Sequence, residues 1–111
     1  MVVKRFFGLV VASTLVMAAP QALAVDEAVL EQGKMLFTTE AKPMHCAICH
    51  ALEDAGATGS IGPSLDDLKP TKEQIHKVMI EGMGAMPSFE ATLSEEERDA
   101  IAEYVVHAVG Q

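Results

Sequence analysis

Cys46-Ala47-Ile48-Cys49-His50 places both cysteines of the chain, and a histidine, within five consecutive positions. Any fold that contains this run must be built around whatever the three side chains bind together. The C-x-x-C-H spacing reads as a covalent haem attachment site. Two thiols held two residues apart can add across the two vinyl groups of one porphyrin. The residue that follows then lies under the iron, where an imidazole can ligate it. His50 is placed for that role.

Two other uses of the same residues are weaker. A thioredoxin-like dithiol pair expects a βαβ pattern around it, and none is visible. Structural zinc takes four protein ligands, commonly a second Cys/His pair at a comparable spacing. There is no further cysteine, and His76 and His107 do not form such a pair.

Residues 1–24 carry the layout of a secretory signal peptide. Lys4 and Arg5 precede an uncharged apolar stretch from Phe6 to Ala19, Pro20 breaks it, and Ala22-Leu23-Ala24 is an A-x-A cleavage signal. The stretch is short of the ~20 apolar residues that a spanning helix needs, and no second apolar run is longer. The expectation is cleavage after Ala24, export to the periplasm without stable membrane insertion, and a single domain over residues 25–111. Without Lys4 and Arg5, 6 Lys and Arg remain against 16 Asp and Glu, a formal charge of −10. Such acidity argues against nucleic acid or an anionic membrane as partner. It favours encounter with proteins that carry basic patches, and it also serves solubility. A domain of this size has a limited core, and a cofactor commonly supplements it.

The periodicity predicts helices and loops only. Residues 26–39 show apolar positions at helical spacing, with Gly33 inside the run. An interior helical glycine costs about 1 kcal/mol relative to alanine, so it points to close approach of another helix. Residues 52–68 are turn-rich, with Ile61, Leu65 and Leu68 as apolar contacts and a short helical turn near Ser64–Leu68. Thr71 with Gln74 and Ser94 with Glu97 form capping boxes that open two further helices. Ile75, Val78 and Met79 form the apolar face of the first, which Gly82 ends; Ile101, Tyr104, Val105 and Ala108 form that of the second. The Glu95–Glu97 run suits the first turn of a helix, where the dipole favours acids. The fold class expected is all-α.

The second axial ligand decides what haem can do here, because a methionine thioether opposite histidine raises the potential and closes the iron. Met44 and His45 are tethered beside Cys46 and reach the far face poorly. Met35 and Met79 fall at helical core positions, where methionine is a gap-filler. His107 reads as exposed, and His76 is a minor candidate. Met83 and Met86 lie in the loop 82–89. Pro87 fixes its own φ and restricts the backbone of Met86, so Met86 is the first choice and Met83 the second.

These features together resemble the class I c-type cytochromes, small monohaem electron carriers. The resemblance spans nearly all of residues 25–111 and rests on Gly33 with Phe37, Cys46-x-x-Cys49-His50, Gly62-Pro63, Met86-Pro87 and Tyr104, in the family's order. It implies a small class I cytochrome c fold around one haem c, with thioethers at Cys46 and Cys49 and axial iron ligands His50 and Met86. It further implies that the Pro63 carbonyl accepts the His50 ring N–H, and that Gly33 and Phe37 meet the last helix near Tyr104. Residues 54–68 and 84–89 are also similar to cytochrome subunits that serve periplasmic sulfite dehydrogenases. The chain lacks the lysine-rich face of mitochondrial cytochrome c. The function implied is one-electron transfer between a dehydrogenase and an acceptor such as an oxidase or another cytochrome, with no catalytic residue of its own. The competing readings are a haem sensor or enzyme subunit with a labile sixth ligand, and a haem-free thiol or metal module.

Overall fold

The computed structural model describes residues 25–110 continuously, together with Val3, Gly8 and residues 11–18. The cleavage signal at residues 22–24 lies outside the described residues. Where the apolar leader is described, Leu15, Val16 and Met17 are exposed.

Helix α1 (Glu27–Met35) is capped by Asp26, whose side chain accepts the Ala28 N–H. It does not continue as α-helix to residue 39. The chain widens into a π-helical turn, Leu36–Glu40, in which Ala41 N–H reaches back to Leu36. A 3-10 turn, Cys46–Ile48, leads into strand β1 (Ala51–Leu52), a second 3-10 turn, Glu53–Ala55, and strand β2 (Ala57–Thr58). Helix α2 (Leu65–Leu68) is one turn. Helices α3 (Lys72–Glu81) and α4 (Glu95–Val109) both start with complete capping boxes, Thr71/Gln74 and Ser94/Glu97.

The all-α expectation therefore needs correction. β1 and β2 pair antiparallel, Ala51 opposite Thr58 and Leu52 opposite Ala57. Two-residue strands are too short to show a period-2 pattern. What makes the reversal is Gly56, at φ +62° where only glycine is unstrained.

The core is assembled where α1 crosses α4. An added Cβ on Gly33 would lie 2.6 Å from Tyr104 Cβ and would also run into the Ala100 carbonyl oxygen. The glycine lets the two helices touch at the backbone, the reason its sequence position suggested. One turn on, Phe37 meets Tyr104 edge to face, with centroids 6.0 Å apart and planes at 66°, a contact worth ~1 kcal/mol beyond area burial. Leu52, Ile101 and Val105 are fully buried around it. Met35, by contrast, is 41% exposed and not a core side chain, and Ile61 and Leu68 are exposed as well. The face that meets α4 runs through Gly33, Leu36 and Phe37, and Met35, two residues from Gly33, falls off that stripe.

The Tyr104 hydroxyl donates to Asp54 Oδ2 (2.6 Å), and Lys34 Nζ donates to the Asp54 carbonyl (2.9 Å). This ties the β1–β2 turn to both helices. The Tyr104 bond, then Lys34, holds the Asp54 carboxyl below its ordinary range. A depressed carboxyl stabilises the fold above its unfolded pKa of about 3.9, and that contribution disappears as pH falls through the lower folded value. Thermal unfolding of the holo-protein should accordingly show stability falling below about pH 4, and Asp54→Asn should flatten part of that fall. The effect is small, because the carboxylate is partly solvated.

Candidate haem site

The Cys46–His50 run sits at the lip of a cavity of about 560 Å³ bounded by α2, α3, the loop after α3 and the buried face of α4. The volume is in the range of cofactor pockets. Its walls are overwhelmingly apolar, with Leu65, Ile75, Met79, Phe89, Ile101 and Val105 at the back. Cys46, Cys49 and His50 line it, and so do Met83 and Met86. The two thiols are half-buried and do not bond to each other. Burial among apolar neighbours pushes the free Cys46 thiol up to about 11.

The loop 59–63 clasps the histidine from one side. Gly62 N–H donates to the Cys49 carbonyl at 2.8 Å. A Cβ on Gly62 would stand 2.6 Å from His50 Cε1, and one on Gly59 would stand 2.6 Å from the Cys49 carbonyl carbon. Side chains at either position would lift the loop off the imidazole. The next residue, Pro63, puts its carbonyl 2.8 Å from His50 Nδ1. A carbonyl can only accept, so Nδ1 carries the proton and Nε2 keeps its lone pair for a metal. The Asp66 carboxylate accepts the Glu53 N–H at 2.8 Å, which joins α2 to the β1–β2 turn and steadies the same loop.

After α3 the chain folds into a tight hairpin. Met83 and Met86 exchange backbone hydrogen bonds of 3.0 and 2.9 Å, with Gly82 and Gly84 both at positive φ. Met86 is half-buried and packs on the core, whereas Met83 is 75% exposed. His76 is engaged elsewhere, 3.2 Å from Asp99. Met35 and His107 do not line the cavity, while Met44 and His45 do, on the side of the cysteines. Glycines 59 and 62 are site residues in the sense that they allow the clasp. Only Gly62 stood out in the sequence, through the Gly-Pro pair. Ser88, which fastens the methionine hairpin, carried no signal at all.

An apolar cavity, two vicinal thiols on its lip, an oriented imidazole and a thioether on its lining form the donor set that haem c takes. Among the described residues no helix is long and apolar enough to cross a membrane.

Comparison with known proteins agrees with this chemistry. Residues 28–105 match the family model described as cytochrome c oxidase, cbb3-type, subunit III. Among solved structures, the c-type cytochrome SorU from Sinorhizobium meliloti is similar, at 41% sequence identity and a TM-score of 0.71 over 78% of this chain and 97% of that one. No curated protein matches. The chain belongs to the cytochrome c family that the cbb3-type subunit III model describes, and its cofactor is one covalently attached haem c.

Proposed function

We propose that the protein is a periplasmic one-electron carrier in which Cys46 and Cys49 hold haem by thioether bonds and His50 and Met86 take the two axial positions. The observation that carries this reading is the fixed tautomer of His50, whose Nδ1–H is spent on Pro63 (2.8 Å) while Met86 lines the same cavity. When bound, haem supplies a ferrous/ferric couple. The residues of this chain supply the rest. The Pro63 bond orients the imidazole and raises its basicity. The apolar wall from Leu65 to Val105 keeps water and competing ligands away. Half-burial of Met86 favours it over exposed Met83.

Residues 1–24 act as a signal peptide removed after Ala24, and residues 25–111 form the mature cytochrome domain. The donor is a periplasmic dehydrogenase, and the likeness of residues 54–68 and 84–89 to cytochrome subunits of sulfite dehydrogenases points to that enzyme. The acceptor is a further cytochrome or a terminal oxidase, and the acidity of the mature chain suits partners with basic docking patches.

The test is spectroscopic. The ferric holo-protein should show the far-red band of methionine–iron ligation, and the ferrous protein should not bind CO. Tight CO binding with no such band would instead mean a sensor. Mixing the ferric protein with a sulfite dehydrogenase and sulfite should reduce it; failure there would remove the named donor and leave the carrier.

A further inference from the structure

We propose that Ser88 is a positioning residue for Met86, and that its hydroxyl governs how readily the methionine leaves the iron. The inference rests on the assignment of Met86 as axial ligand.

The last turn of α3 cannot satisfy its own carbonyls, because no helical N–H follows four residues on. Val78 is served by the Gly82 N–H (2.8 Å). Met79 is not served in this way, since the Met83 N–H is directed to Met86, and Ile80 stands one residue nearer the helix end. Both carbonyls are capped instead by the segment just beyond Met86-Pro87. Phe89 N–H donates to Met79 at 2.7 Å, and Ser88 Oγ donates to Ile80 at 2.5 Å. The same hydroxyl accepts the Glu90 N–H at 3.3 Å. The hairpin that carries Met86 is thus stitched to the helix end at its return point. Gly82 closes the other side: a Cβ there would lie 2.8 Å from the Met86 carbonyl oxygen and 3.1 Å from Ser88 N.

In the proposed opening, the hairpin swings away from α3 as the Met86 sulfur withdraws. Phe89 is a buried core side chain and does not follow. The stitch that opens is therefore the one at Ser88, which lies at the surface. Removing its hydroxyl leaves the Ile80 carbonyl without a protein donor in the closed state and lowers the cost of opening.

Imidazole is a suitable probe, since it binds ferric iron only when Met86 gives way. Ser88→Ala is expected to bind imidazole roughly two- to tenfold more tightly than wild type, the effect of losing one exposed hydrogen bond from the closed state. Ser88→Thr should restore the wild-type affinity. With Met86→Ala the site is already open, so adding Ser88→Ala should change nothing further. A second readout avoids the iron altogether: amide exchange at Met86 should accelerate in Ser88→Ala while that at Phe37 and Ile101 stays as in wild type. If Ser88→Ala binds imidazole like wild type while Met86→Ala binds it more tightly, the positioning role is wrong and the ligand assignment stands. If Met86→Ala leaves the affinity unchanged, both fall. Uniformly faster exchange throughout the chain would reduce Ser88 to a stability residue and overturn the proposal.

Discussion

Met86→Ala is expected to leave the haem attached and to lower its reduction potential by roughly a few tenths of a volt. Retention follows from the number of bonds involved. In the proposed ligation two thioethers and the His50 bond do not depend on Met86, and the clasp of Gly59, Gly62 and Pro63 on Cys49 and His50 lies on a different segment. The fall in potential follows from the thioether itself. A soft sulfur ligand favours the ferrous state, and its replacement by solvent shifts the balance to ferric within the ~0.8 V span that axial ligation covers. Met83→Ala is the matching control. Met83 is 75% exposed, and its backbone, rather than its side chain, closes the hairpin with Met86. Its loss should leave potential and far-red band close to wild type. Spectroelectrochemical titration of the three proteins checks this directly. A lowered potential in Met83→Ala with an unchanged Met86→Ala would move the ligand to Met83.

What could be read in advance follows from how local each cause is. The haem attachment run was legible because covalent chemistry demands contiguous residues, and the capping boxes because their bonds close over three residues. Spacing does not separate Met83 from Met86, since both sit in one glycine-rich loop, and in the sequence the preference for Met86 rests on Pro87 alone. Exposure favours Met86, and exposure depends on how the hairpin leans on Phe89 and Met79. The β1–β2 hairpin escaped notice because its strands are two residues long. The π turn at Leu36–Glu40 did too, since one shifted hydrogen bond leaves no composition signature. Met35 is exposed because it stands two residues from Gly33, off the side of α1 that meets α4. Ser88 looked like any polar loop residue, because its partner, the Ile80 carbonyl, is backbone and carries no sequence mark. Gly33 was legible through its cost, as a residue with no reason to be in a helix unless something stands against it.

That last inference has the sharpest consequence for stability. Gly33→Val is expected to destabilise the holo-protein by about 3 kcal/mol or more, at the upper end of overpacking costs. The obstacle is not a flexible side-chain tip that can turn aside. It is the Ala100 carbonyl and Tyr104 Cβ, both fixed by α4, so α1 as a whole must move. Moving it also opens the Phe37–Tyr104 contact and loosens Lys34 from Asp54. For a domain of this size such a loss lowers the midpoint of thermal unfolding by roughly 12–24 °C, at ~4–8 °C per kcal/mol. Gly33→Ala decides the cause by its sign. At an open helical position alanine would stabilise by about 1 kcal/mol through propensity alone. Here the single added carbon meets backbone, and the net effect should be destabilising. A midpoint that rises in Gly33→Ala would mean that α1 and α4 do not approach as closely as the glycine allows.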